Sequence, residues 1–214
     1  MAKDVSILNT EVVIVGGGPF GLMLAIDLGC RHVTASLYDA NSGTVYTHGA
    51  NATQARTMEY FRRLGIADEI RALGMPADYP TDIAYFTRYG HHELGRFELP
   101  ASSKANALVR SNQGSWTASE APHRVSQKFV EPVLRRLAEA HDSVTINFGW
   151  RMTEFKEGAS GVSAIFEQSE TGVIHNIDAN YLIGADGARS MVRKQLGYTL
   201  QGEYGEERHF FGGR

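Results

Sequence analysis

The chain has 214 residues, of which 43% are hydrophobic and 21% charged, and its formal net charge at pH 7 is −3. This balance is typical of a globular protein, and it argues against a nucleic-acid partner, which needs a concentrated basic face. A single cysteine excludes an intrachain disulfide. Without a signal peptide or an apolar run of about 20 residues, the sequence predicts a cytoplasmic protein that makes no membrane contact.

The first part of the chain predicts a βαβ unit. Residues 12–15 are an unbroken apolar, β-branched run, as in a parallel strand buried on both faces. A glycine-rich turn separates this strand from a predicted helix over 22–30, and a second strand over 33–38 ends at Asp39. A further helix is predicted over 53–64, with Gly65 as its stop.

The rest of the chain predicts mostly antiparallel structure. Residues 101–121 show no clear period and are predicted to form a loop or an excursion. Pro132 is best placed in the first turn of a helix that ends near residue 141. A helix is also expected over 190–196. The expected strands cover 83–87, 94–99, then four successive antiparallel segments at 144–148, 151–155, 162–168 and 173–179, and a separate segment at 181–185.

Residues 16–21 carry the first chemical signal, because Gly16-Gly17-Gly18-Pro19-Phe20-Gly21 fits the pattern G-x-G-x-x-G. In such a turn Gly16 permits the tight bend, Gly18 the close approach of a diphosphate, and Gly21 the packing of helix on strand. Asp39 follows at the end of the next strand, near the spacing at which an acidic side chain binds a ribose hydroxyl. The pattern leaves open whether the nucleotide is FAD or NAD, and a purely structural glycine turn is the alternative.

Two further positions suggest an anionic, extended ligand. Arg56 lies in the first turn of the predicted helix over 53–64, where a cation opposes the helix dipole unless an anion such as a diphosphate is near. A plain surface arginine is the alternative. Asp186 and Gly187 separate a strand from a helix, so a second strand end would converge on the same ligand. The alternative is that Asp186 only caps the helix.

These stretches occur in the order found in class A flavoprotein monooxygenases, the single-component aromatic hydroxylases, and the chain resembles this family over nearly its whole length. The resemblance implies an α/β fold: a Rossmann-like FAD-binding βαβ unit with an inserted antiparallel β layer and the start of a second, substrate domain. The motifs that carry it, besides the glycine turn and Asp186-Gly187, are Ala55-Arg56-Thr57-Met58-Glu59, Arg124-Val125-Ser126-Gln127 and Glu131-Pro132-x-Leu134.

The resemblance also implies roles for particular residues. Asp39 would hold the adenosine ribose, while Arg56 and Gln127 would contact the diphosphate and ribityl regions of FAD. Asp186, with Gly187, would contact FAD and assist the binding of NAD(P)H. The glycine turn would complete the cofactor site through Gly16, Gly18, Pro19, Phe20 and Gly21. No catalytic acid or base is assigned, and the histidines have no metal-ligand spacing, so no metal site is expected.

The implied function is an FAD-dependent monooxygenase that uses NAD(P)H and O₂ to hydroxylate a small aromatic, phenol-like substrate. Two alternatives stay open: another FAD-dependent oxidoreductase on the same scaffold, or a non-catalytic FAD-binding fragment. We expect residues 1–197 to form the FAD-binding domain, with 80–121 as an excursion toward the substrate domain, and residues 198–214 to begin that domain. The family's later Gly-Asp motif is absent, so further C-terminal polypeptide is the expected partner and the 214 residues alone are expected to be inactive. The sequence leaves open a homo-oligomer.

Overall fold

The structure of the protein is a computed structural model that describes residues 5–43, 50–111 and 118–202. Strands and helices alternate at the start of the chain, and strands dominate its later part. The strands are β1 (Val5–Val15), β2 (Ala35–Asp39), β3 (Ala52–Thr53), β4 (Ile83–Phe86), β5 (Glu93–Phe97), β6 (His123–Arg124), β7 (Val144–Phe148), β8 (Trp150–Gly158), β9 (Gly161–Gln168) and β10 (Ile174–Gly184). The helices are α1 (Pro19–Gly29), α2 (Ala55–Arg63), α3 (Ala67–Ala72), α4 (Ala105–Ser111), α5 (Gln127–Glu139) and α6 (Met191–Gln195).

Six of these strands form one mixed sheet, in the order β7-β2-β1-β10-β9-β8. β1 runs parallel to both β2 and β10, and β7 runs parallel to β2. Beyond β10, the strands β9 and β8 continue the sheet in antiparallel pairing. The arrangement confirms the predicted α/β class, in which a Rossmann-like βαβ unit is joined to an antiparallel β layer.

Two hydrophobic cores lie on opposite faces of the parallel strands. On β1, Ile14 belongs to the core shared with the helices, whereas its neighbour Val13 belongs to the core shared with β8, β9 and β10. Successive side chains of a strand point to opposite faces, so this alternation explains why residues 12–15 are all apolar. Tyr38 of β2 stacks on Phe166 of β9 with a ring-centroid distance of 4.1 Å. Because β1 and β10 separate these two strands in the sheet, the antiparallel layer must curl over the parallel one.

The predicted strand pattern is wrong in two places. Residues 144–148 form β7, which pairs parallel with β2 at the far edge of the sheet rather than opening an antiparallel run. The two strands predicted over 173–179 and 181–185 are the single strand β10. Its first half pairs with β9 and nearly its whole length with β1, so β10 passes from the antiparallel layer into the parallel sheet.

The predicted helix starts also need correction. α1 begins at Pro19 rather than at residue 22, because a proline at the first helical position lacks only an N–H that would have no helical partner. α5 begins at Gln127 and contains Pro132 in its interior, so the placement of this proline in the first turn is wrong. Residues 101–121, predicted to be a loop or an excursion, include the helix α4. Packing holds α5 in place across the proline through the buried residues Val130, Val133, Leu134 and Ala138.

The segment between α3 and β6 leaves the main sheet. Within the described ranges, β4 and β5 pair only with each other. The segment returns at Glu120, whose carboxylate lies 2.8 Å from the buried guanidinium of Arg71 on α3. No helix in the described part of the chain combines the length and apolar character needed to cross a membrane. Most of the expected start of a second domain, residues 203–214, lies outside the described residues.

His123 on β6 makes the stability of the fold depend on pH. The residue is 6% exposed, and burial, together with the charge of Arg71, lowers its pKa from 6.5 to about 4. The folded state therefore keeps this imidazole neutral, whereas the unfolded chain takes up a proton below pH 6.5. We expect this group to reduce the free energy of unfolding by on the order of 3 kcal/mol as the pH falls from 6.5 to about 4.

Urea unfolding at a series of pH values checks this expectation. The variant His123→Gln cannot titrate, so its stability should fall less steeply with decreasing pH than that of the wild type. His91→Gln, at an exposed turn, is the matched control and should follow the wild type. If wild type and His123→Gln lose stability in parallel, the buried histidine is not the cause.

Candidate functional site

The carboxyl ends of four parallel strands meet at one edge of the sheet. Val15 at the end of β1 pairs with Gly184 of β10 on one side and with Tyr38 of β2 on the other. At the next position, Asp39 pairs with Phe148 of β7. The turn that follows β1 and the turn that follows β10 are therefore neighbours. This is the edge at which open α/β sheets bind their ligands.

The glycines of the motif meet different constraints at this edge. Gly16 has φ +112°, and a Cβ there would lie 2.3 Å from the backbone oxygen of Ala185. At Gly21 a Cβ would lie 1.9 Å from the backbone oxygen of Gly16. Gly18 is the opposite case, since nothing lies within 4 Å of the position of its Cβ. The fold itself thus requires Gly16 and Gly21, whereas Gly18 leaves open space beside the backbone.

The N-terminus of α1 points its unpaired backbone donors into the same region. Gly18 is the N-cap, no side chain caps the helix, and no acidic residue lies in its first turn. Pro19 has no N–H to offer, and the side chain of Phe20 is exposed. The positive end of the helix dipole is therefore left without a counter-charge from its own first turn, which suits an anion such as a diphosphate.

Asp39 lies at the end of β2, as predicted, and contacts the glycine turn. Its Oδ2 accepts a hydrogen bond from the backbone N–H of Gly17 at 2.6 Å, and its Oδ1 accepts one from the N–H of Asn41 at 2.7 Å. These two bonds fix the orientation of the carboxylate. Each oxygen has capacity for another donor, so the half-buried Asp39 can still accept a ribose hydroxyl.

Asp186 lies on the other side of the turn, after β10. Its Oδ2 accepts hydrogen bonds from the backbone N–H groups of Met191 at 2.6 Å and Val192 at 3.3 Å, so the residue does cap α6. Its Oδ1 is buried and has no hydrogen-bond partner among the described residues. Gly187, the next residue, takes the left-handed conformation with φ +75° that turns the chain toward α6. One oxygen of Asp186 therefore caps α6, and the other is a hydrogen-bond acceptor without a donor among the described residues.

Arg56 and Gln127 lie on two segments that run side by side. The N–H of Gln127 donates to the carbonyl of Ala50 at 2.9 Å, next to the pairing of β3 with β6. Arg56 lies in the first turn of α2, as predicted, with its side chain 80% exposed and 3.0 Å from the carboxylate of Glu59. In this structure the anion near Arg56 is therefore Glu59, and among the described residues no hydrogen bond joins its guanidinium to the glycine turn. Gln127 is the first residue of α5, and its Nε2 donates to Glu131 Oε1 at 2.5 Å.

Glu131 is the side chain of this region to which the sequence assigned no role. Burial raises the pKa of its carboxyl, the hydrogen bond from Gln127 opposes that shift, and the negative charge of Asp39 adds to it. Glu131 thus holds Gln127 by a hydrogen bond, and the negative charge of Asp39 acts on its carboxyl. The signal that could have identified it is its spacing of four residues from Gln127, which places both side chains on one face of the helix.

The arrangement matches the chemistry of a dinucleotide. Backbone donors and open space lie at the centre, where a diphosphate needs them, and carboxylates able to accept hydroxyl groups lie on either side. The negative charge of Asp39 would repel a phosphate on the ribose at that position. Among the described residues, no group of three or more His, Cys, Asp or Glu side chains is arranged to hold a metal ion.

Comparison with known proteins agrees with this geometry. The chain is 31% identical over 192 residues to the FAD-dependent monooxygenase apdD of Emericella nidulans, a match that covers 89% of this chain and 31% of that protein. It is 29% identical over 198 residues to a phenol 2-monooxygenase of Pseudomonas sp., which covers 92% of this chain and 32% of that protein. The chain spans about a third of the length of these curated relatives.

A solved structure supports the same relationship. The flavin-dependent monooxygenase PieE, in complex with FAD and substrate, superimposes with a TM-score of 0.79 at 30% identity, over 94% of this chain and 34% of that one. The sequence family described as FAD binding domain matches residues 9–212, which is nearly the whole chain. With this match and the glycine turn, Asp39 and Asp186 gathered at one edge of the sheet, the chain belongs to the FAD binding domain family.

Proposed function

We propose that this chain is the FAD-binding part of a monooxygenase that hydroxylates an aromatic, phenol-like substrate with NAD(P)H and O₂. The observation that carries the proposal is the edge of the parallel sheet, where the glycine turn contacts Asp39 through Gly17 and the Ala185–Asp186 backbone through Gly16, and leaves open space beside Gly18. The aromatic substrate class is inferred from phenol 2-monooxygenase, a relative that aligns with 92% of this chain.

In this proposal each residue at the edge meets a different part of FAD. The N-terminus of α1, from Gly18 to Gly21, holds the diphosphate, and Asp39 accepts a hydroxyl of the adenosine ribose. On the other side, next to Gly187, Asp186 caps α6 with one oxygen, and its buried second oxygen would accept a cofactor hydroxyl after the side chain turns outward. Arg56 exchanges Glu59 for a phosphate oxygen. Because Arg56 is exposed, its side chain is free to change rotamer and leave Glu59.

FAD held by these residues would supply the redox chemistry of a hydroxylation that consumes NAD(P)H and O₂. The chain's own task is to bind and orient the cofactor. We assign residues 1–197 to the FAD-binding domain, with 80–121 as an excursion toward the substrate domain that begins at 198–214. Further polypeptide of the same protein would close the substrate pocket.

Gly18→Val separates binding from folding. The position has φ −74° and open space around its Cβ, so valine is compatible with the fold, yet its side chain would occupy the space that the diphosphate needs. We expect unchanged thermal unfolding without cofactor and loss of FAD binding, measured by fluorescence quenching. Gly21→Val is the contrast, because its Cβ would collide with the backbone of Gly16 and lower the melting temperature. FAD binding with wild-type affinity by Gly18→Val would mean that the turn is only structural.

Asp39→Ala tests the ribose contact. The substitution removes an acceptor from the cofactor, and we expect FAD binding to weaken by about 1–3 kcal/mol. It also removes the acceptor of the Gly17 and Asn41 N–H groups, so thermal unfolding must be measured alongside. Asp68→Ala, an exposed aspartate on α3, is the matched control and should bind FAD normally. An unchanged dissociation constant for Asp39→Ala would remove Asp39 from the cofactor site.

The residues of this chain alone should bind FAD without hydroxylating phenol. The site is open, since the side chain of Phe20 at the start of α1 is 84% exposed, whereas oxygen transfer requires a pocket that excludes water. The measurement is NAD(P)H oxidation with analysis of the aromatic product, on residues 1–214 and on the same chain with the remaining polypeptide present. Hydroxylated phenol formed in proportion to NAD(P)H by residues 1–214 alone would contradict the expectation.

A further inference from the structure

A cavity of about 600 Å³ lies outside the edge of the parallel sheet. One wall is the segment that runs from the end of α3 into β4, and the other is the segment that leads from β6 into α5. The lining is mainly apolar and includes Met75, Tyr79, Ile83 and Phe129. A cavity of about 150 Å³ is enough to hold benzene, so this one has room for an aromatic ligand of more than one ring.

The wall of this cavity also carries a positive charge. Arg124 of β6 is partly buried and lines the cavity together with Asn51, to whose Oδ1 it donates a hydrogen bond at 3.1 Å. Among the described residues, Arg124 has no acidic side chain within ion-pair distance. Asp82, the one acidic residue among the described lining residues, already accepts hydrogen bonds from Arg96 and from the N–H of Leu99, each at 3.0 Å. Because arginine stays charged, its guanidinium favours an anionic ligand.

The bond to Arg124 also fixes which end of the Asn51 carboxamide is left for a ligand. A guanidinium has only donors, so the amide presents its oxygen to Arg124 and keeps its NH₂ group as a donor. Among the described residues, no hydrogen bond uses that NH₂ group. The two neighbouring side chains therefore offer N–H donors together. A carboxylate matches them with two acceptor oxygens and a full negative charge, whereas a neutral phenol offers one oxygen and no charge.

The cavity adjoins the part of α5 to which the proposed function assigns the cofactor. Ser126 lines the cavity and directly precedes Gln127, the residue for which the resemblance implies a contact with FAD. The N–H of Gln127 in turn donates to the carbonyl of Ala50, one residue before Asn51. A ligand held by Arg124 and Asn51 would therefore lie next to the cofactor-binding segment.

We propose that this cavity receives the aromatic substrate and that Arg124, with Asn51, selects a substrate that carries a carboxylate. The inference rests on the proposed function and narrows its substrate class from phenols in general to phenol-like aromatic acids. The apolar walls pack against the rings, and the carboxylate accepts the N–H groups of Arg124 and Asn51. Neither residue acts on the reacting carbon; together they determine which ligand binds.

The test compares two ligands of similar shape that differ in charge, 6-hydroxy-2-naphthoate and its neutral analogue 6-hydroxymethyl-2-naphthol. Their dissociation constants for the full-length protein are measured by fluorescence titration, and we expect the wild type to bind the acid more tightly. Arg124→Gln should weaken binding of the acid about ten- to a hundredfold, the effect of losing a hydrogen bond between charged groups. Binding of the neutral analogue should stay unchanged in this variant.

Two further variants separate the anion site from general effects. Arg151→Gln is the matched control, because Arg151 is an exposed arginine of β8 that also lacks an acidic partner among the described residues. It removes the same charge and should leave binding of both ligands unchanged. Asn51→Asp is nearly isosteric and places a carboxylate beside Arg124, where it would pair with the guanidinium and repel the acid. Binding of the acid should fall, and binding of the neutral analogue should not; this variant also decides the question if Arg124→Gln does not fold.

Equal affinity of the wild type for the two ligands would overturn the inference, as would equal weakening of both in folded Arg124→Gln. If Arg151→Gln weakens binding of the acid as much as Arg124→Gln does, the acid responds only to net charge and the inference fails as well. FAD binding is measured on the same samples. If the protein binds FAD and hydroxylates neutral phenols without preferring the acid, the proposed function stands and the role of Arg124 falls. If FAD does not bind, the proposed function fails, and the assignment of the acid as its substrate fails with it.

Discussion

The parallel pairing of β1 with β2 on one side and β10 on the other is the constraint on which the site depends. The carbonyl of Tyr38 accepts the N–H of Gly16 at 2.8 Å, and the carbonyl of Val15 accepts the N–H of Ala185 at 2.7 Å. These bonds extend the pairing one residue past the strand ends and lock the glycine turn between its neighbours. A shift of one residue in either register would turn the apolar side chains of β1 to the wrong faces, so the two hydrophobic cores also fix the geometry of the turn.

The site also holds carboxylates next to the region where the anionic diphosphate would bind. Asp39 accepts two backbone N–H groups and one oxygen of Asp186 accepts two more, so both are held by the same kind of donor that a diphosphate would use. Glu131 is satisfied by an amide side chain. The acids are thereby oriented toward hydroxyl groups, and the donors at the start of α1 are left for phosphate oxygens.

How far the sequence predicts this structure depends on the range of the interactions involved. The glycine turn, Asp39 and the helix over 190–196 follow from local rules of spacing and capping, and the structure confirms their places. The pairing of β7 with β2 joins residues more than a hundred positions apart, and nothing in the five residues of β7 distinguishes a parallel edge strand from an antiparallel one. The predicted position of Pro132 in the first turn is wrong for a related reason. Tertiary packing stabilises α5 by more than an interior proline destabilises it. The effect of the Asp39 charge on Glu131 acts between a strand end and a helix that are distant in sequence, which spacing alone cannot reveal.

The most direct test of the account is a crystal structure of the chain with FAD. We expect the diphosphate against the N-terminus of α1, beside Gly18, with the adenosine ribose on Asp39. A polar cavity of about 630 Å³ at the far end of the sheet, lined in part by Thr10, Lys156 and Asp178, is the alternative binding site. FAD bound in that cavity, or a carboxyl edge of the parallel strands left without FAD, would contradict the account.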